Sequence, residues 1–107
     1  TRALYNSVMP LSQKQIKQLR KLAHHLKVIV IIGQHGLTDN VMHEIDSALE
    51  IHELLKVRIN AGDKQERHQI IDQIAQQTGS DVIQRIGHIG VFYRPSENAS
   101  DEAKIKI

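Results

Sequence analysis

Five β-branched residues in succession, Val28–Ile32 (VIVII), lie between two segments of helical period, and no other feature of the chain restricts the fold as much. β-Branched side chains are stiff at χ1 and favour a pleated surface over a helix. A run with no polar alternation predicts a strand covered on both faces or nearly so. It is far too short to cross a bilayer. A buried strand followed by a helix begins a βαβ crossover, which makes the next strand parallel and the connection right-handed.

The flanking segments have the periods this requires. Upstream, LSQKQIKQLRKLAHHLK (11–27) places Ile16, Leu19, Leu22, Ala23 and Leu26 on one side of a helix, with Ser12 as its N-cap. The other side carries Lys14, Lys17, Arg20, Lys21, His24 and His25, with no acidic residue. Downstream, Thr38 caps a second helix running to about Ile51, with Asp39 in its first turn. Val41, Ile45, Ala48 and Leu49 form its buried stripe, and Glu44, Asp46 and Glu50 its outer face.

LLKVRIN (54–60) alternates, so Leu55, Val57 and Ile59 face a core while Lys56, Arg58 and Asn60 face water. Asp63 and Glu66 form a capping box for a third helix, buried through Ile70, Ile71, Ile74 and Ala75 and stopped by Gly79. DVIQRI and IGVFYR read as two strands joined through Gly87-His88, and Pro95 ends the second. The order αβαβαββ predicts an α/β two-layer sandwich, a mixed four-stranded sheet with packed helices.

One domain, 9–96, is expected from 107 residues, with 1–8 a leader outside the fold and the polar stretch 97–107 a mobile tail. The chain has no cysteine, which removes disulfides, thiolate zinc sites and cysteine nucleophiles together. Its seven histidines are scattered, without HExxH or a second cluster at zinc spacing, so no metal or other cofactor is expected. No nucleophile elbow, Walker A sequence or Rossmann fingerprint points to catalysis. With no signal-like or membrane-spanning segment, a cytoplasmic monomer without a membrane partner is expected.

Net charge is only +2 with histidines neutral, so the placement of charge carries more information than its total. The three aromatics, Tyr5, Phe92 and Tyr93, are too few for a base-stacking sheet of the RRM type.

Between the first strand and the second helix lies Gly33-Gln34-His35-Gly36. Glycines remove the Cβ atoms that would hold a phosphate away from the backbone, and a helix N-terminus offers unpaired amides at the positive end of its dipole. The same loop also satisfies the plain need for a tight βα turn. The basic helix favours the phosphate reading, since a stripe of one sign forgoes i,i+4 pairs and is the electrostatic footprint of nucleic-acid binding. Lys56 and Arg58 are auxiliary contacts or a wet sheet face. Two rival functions share these residues: an enzyme or binding protein for a phosphorylated metabolite with His35 as acid or base, and a protein-interaction module docking through a sheet edge.

Taken together, AHHLKVIVIIGQHGLT, then HELLKVRI, then IGHIGVFYRPS resemble the CRM domain family, named for chloroplast RNA splicing and ribosome maturation, and within it the bacterial stand-alone YhbY type. The resemblance covers about Leu11 to Ser96. It implies a fold similar to the C-terminal domain of translation initiation factor three, a sheet in the order 1-2-4-3 with the last strand antiparallel, and non-catalytic binding of structured RNA, namely ribosomal RNA of large-subunit precursors, with no DNA. It places RNA contacts on Gly33, Gln34, His35, Gly36 and Thr38, with the adjacent basic surface supplied by Lys14, Lys17, Arg20, Lys21, His24, His25 and Lys27. Family members often have proline at Val28 and a cation in the loop; with Gln34-His35 here, backbone amides and the first helix carry the contact.

Overall fold

The computed structural model describes residues 10–107, so the leader expected at 1–8 lies outside the described residues. Its elements are α1 (Gln13–Ala23), β1 (Val30–Ile32), α2 (Asp39–His52), β2 (Leu54–Ile59), α3 (Lys64–Thr78), β3 (Asp81–Ile86) and β4 (Ile89–Tyr93). All three helix starts are held by their expected caps. Ser12 and Gln15 exchange capping-box bonds of 3.1 and 2.9 Å, Thr38 Oγ1 accepts from the Val41 amide at 3.2 Å, and Asp63 and Glu66 form the second box. Gly79 ends α3 in the left-handed conformation, φ 66°.

The sheet runs β1-β2-β4-β3, with β1 and β2 parallel and β4 antiparallel to both neighbours. The sequence pattern did not show that the helices divide between its faces. Ile45 and Leu49 of α2 and Ile71 and Ile74 of α3 pack with Val30, Ile32, Leu55, Val57, Ile59 and Phe92. On the opposite face, Leu19 and Ala23 of α1 pack with Leu54, Ile83, Val91 and Tyr93. Both cores draw on β2 because Leu54 and Leu55 are consecutive and point opposite ways. A bulge leaves Ile83 out of the β3–β4 pairing, and its carbonyl accepts from Arg20 Nε at 2.9 Å.

Four local expectations are corrected. β1 is three residues long and buried on one face only, with Ile29 and Ile31 exposed; it is an edge strand, and α1 does not reach far enough to cover it. α1 stops at Ala23 and not at Lys27, because the chain tightens into i→i+3 bonds at His25 and Leu26 on its way to β1, leaving Leu22 and Leu26 exposed.

Asp46 and Glu50 do not form a free outer face. They bind Arg94, which is 1% exposed, at 2.8 and 2.9 Å, and Arg94 also donates to the Thr78 carbonyl at 2.7 Å. A buried guanidinium needs such partners to offset its desolvation. Finally, residues from 97 onward fold back on the domain: Glu53, buried at φ 63°, accepts from the Ser96 and Ile105 amides at 2.6 Å each, and Ile105 joins the α1-side core.

Candidate nucleic-acid interface

Because β1 and β2 are parallel, the glycine loop after β1 emerges at the same end of the sheet as the turn after β2. The β3–β4 hairpin reaches that end as well. The three connections are tied together: the Asn60 amide donates to the Ile32 carbonyl and the Ile59 amide to the His88 carbonyl, both at 2.7 Å. Ligands of α/β sheets bind outside the carboxyl ends of parallel strands, which is where this row of loops lies.

Within the glycine loop, the Gly36 amide donates to the Gly33 carbonyl at 3.0 Å and closes a tight turn with Gln34 and His35 exposed at its tip. Gly36 has φ +73°, a conformation that L side chains adopt only with strain. Gly33 differs. Its φ is not positive, and a Cβ added to it would meet no atom within 4 Å. Gly33 is exposed, and five residues on Thr38 caps α2 by accepting from the Val41 amide, leaving the amides before it without intrahelical acceptors. An open glycine turn ahead of a capped helix is the kind of place where free backbone amides can meet an anion.

The seven positions expected to form the basic surface on and just after α1, the cations Lys14, Lys17, Arg20, Lys21 and Lys27 and the histidines His24 and His25, are all exposed. Among the described residues the acidic ion pairs engage Arg85 and Arg94, and none of these seven. Arg20 donates from its guanidinium Nε to the Ile83 carbonyl and is otherwise an exposed residue.

The structure does not bring all seven to the loop. His25 and Lys27 share a groove with His52 and Leu54, at the C-terminal end of α2, whereas the loop is at its N-terminal end. The 14 residues of α2 separate those ends by roughly 20 Å. Lys56 and Arg58 point to the α1 face of β2, Lys56 into that same groove and Arg58 with its Nε on Asn60 Oδ1 at 2.9 Å. The end of the α1 row and the glycine loop are therefore apart in the structure and do not form one cluster.

Sequence reading missed cations that the topology delivers to the loop end. Lys64, Arg67, His68, Arg85 and Gly87 line a hollow of about 390 Å³ between α3 and the hairpin. Arg67 donates to the Gly62 carbonyl at 3.2 Å, and Arg85 is paired with Asp72. The spacing of Lys64, Arg67 and His68 at i, i+3 and i+4 was a signal of one cationic face, but Asp63, Glu66 and Asp72 interleave it. Among the described residues no group of three or more His, Asp or Glu could hold a metal ion, and no helix is long and apolar enough to cross a membrane.

Comparison with known proteins then decides the family. The model of the CRS1/YhbY (CRM) domain matches residues 11–94. The chain belongs to the CRM domain family. It is 46% identical over 97 residues to a Haemophilus influenzae protein named "RNA-binding protein", covering 91% of this chain and 94% of that one. A Pseudomonas aeruginosa protein named "Probable RNA-binding protein" is 37% identical over 97 residues, covering 87% of this chain and 93% of its own. The solution structure of a hypothetical protein from Staphylococcus aureus superposes with a TM-score of 0.75 at 32% identity, covering 91% of this chain and all of that one. The CRM match takes in the glycine loop, the cationic row of α1 and the basic strand β2 together.

Proposed function

We propose that this CRM domain binds structured RNA without catalysis, and that its target is ribosomal RNA of large-subunit precursors in the cytoplasm, whose assembly it assists. The observation that carries the reading is Gly33, a glycine needed neither for backbone conformation nor for internal space, placed where a phosphate would meet a helix N-terminus. The names of the relatives agree with RNA as the ligand. The loop holds one phosphate through backbone amides, and Lys14, Lys17 and Lys21 neutralise others along α1, releasing counterions. With few aromatics, selectivity comes from RNA shape.

The test is sedimentation of tagged protein from lysate through a sucrose gradient, at low and raised salt, with and without ribonuclease. Co-migration with large-subunit precursors that is lost on salt or nuclease is the expected result. Protein at the top of the gradient in every condition refutes the ribosomal assignment.

A further inference from the structure

Resting on that RNA-binding reading, we infer that the apolar groove between the α1–β1 connection and the C-terminal segment takes an unpaired RNA base, as a subsite separate from the glycine loop. The groove has a volume of about 460 Å³ and an apolar floor of Leu22, Leu26, Ile29, Leu54 and Ile105. Three of these are large apolar side chains left open to solvent: Leu22 is 41% exposed, Leu26 39% and Ile29 50%. Ile31, 59% exposed, extends the patch along the same face of β1 and lies opposite Arg58 of β2. A cluster of such residues marks a contact surface, where scattered ones would need no explanation.

The rim identifies the occupant. His25, Lys27, His52 and Lys56 surround the groove with one carboxylate, Glu102, among them. A second copy of the chain would set Lys27 and Lys56 against their own equivalents, whereas a polyanion complements them. His25, the last member of the basic row begun on α1, and Lys27 just after it both line the groove. A strand whose phosphates follow that helix therefore delivers a nucleotide to an apolar slot. Single-stranded RNA is read where bases are splayed from the stack, and here aliphatic side chains take the place that aromatics occupy in other RNA-binding sheets.

The two parts of the interface are separable by their response to salt. Phosphate contacts set the slope of log K against log salt, while apolar contact with a base moves affinity at constant slope. The experiment is fluorescence anisotropy with a single-stranded RNA of about ten nucleotides, a length within the range such sites cover, and a matched oligomer with abasic sites in place of the bases. The full chain, a Leu26→Ser/Ile29→Ser variant and a Lys17→Gln/Lys21→Gln variant are compared, with Ile31→Ser as a further surface substitution should the double variant lose its circular dichroism.

The unaltered chain should prefer the base-bearing probe by about tenfold, in line with burial of one apolar contact patch. The groove variant should lose that preference at unchanged slope. The lysine variant should keep the preference while its slope falls by roughly 1.5. Equal affinity of the unaltered chain for both probes overturns the base subsite, as does a groove variant that retains the preference. A groove variant that changes only self-association in analytical ultracentrifugation assigns the surface to a second copy and overturns it too. Absence of binding to both single-stranded probes also overturns the base subsite, while the structured-RNA reading stands or falls separately on the sucrose-gradient test.

Discussion

The two glycines of the loop should respond in opposite ways to substitution. Gly33→Asp introduces a carboxylate into open space from a backbone that is not in the left-handed region, so folding stability should change by less than about 1 kcal/mol. Gly36→Ala imposes a Cβ at φ +73°, which costs about 1–2 kcal/mol. RNA affinity should invert the order. A carboxylate about 4 Å from a bound phosphate repels it by about 1 kcal/mol in water and about 4 kcal/mol at the effective dielectric of a protein surface. The corresponding loss of affinity is between about fivefold and a thousandfold. Gly33→Asn, of equal size and no charge, separates repulsion from obstruction. Urea unfolding and filter binding at low salt measure the two quantities. If Gly33→Asp binds RNA as tightly as the unaltered chain, the loop does not cradle a phosphate.

Other outcomes follow from the buried polar groups. Arg94→Met removes the buried guanidinium that Asp46, Glu50 and the Thr78 carbonyl share, while the partly exposed carboxylates keep water and other contacts; unfolding in urea should show a loss of about 2–3 kcal/mol. Tyr93 has its phenol pushed up to about 12, first by burial and then by Glu53 and Asp81. The unfolded chain releases that proton near pH 10 and the folded chain later, so the contribution is intact below about pH 10 and is lost as pH rises toward 12. The fall amounts to about 2–3 kcal/mol, and comparison of unfolding curves for the unaltered chain and Tyr93→Phe should show it only in the former.

What the sequence revealed depended on how local each cause was. Ser12, Thr38, Asp63 and Gly79 act within one turn, and their caps could be read directly. Leu55, Val57 and Ile59 were legible because period two is a property of the strand alone. Val28–Ile32 misled because an apolar run records no face; only the edge position of β1 shows that Ile29 and Ile31 are open. Arg94 finds its carboxylates 48 and 44 residues away, a pairing that no short-range pattern contains. The polar stretch after Pro95 was indistinguishable from a loose end until Glu53 supplied its acceptors. At the interface, composition gave the cations of α1, but that His25 lies by the C-terminal end of α2, a helix roughly 20 Å long with the loop at its other end, follows only from packing.

The strand order has a consequence for how the molecule is made. β4 lies between β2 and β3, yet it is the last strand in the chain. A growing polypeptide can pair β1 with β2, but β3 has no place in the sheet until β4 arrives to bridge the gap. Arg94, immediately beyond β4, then joins Asp46 and Glu50 of a helix made much earlier. Completion of the domain therefore waits for Arg94 to leave the ribosome, and a nascent chain stopped before Ile89 holds an unfinished sheet in which β3 has no neighbour.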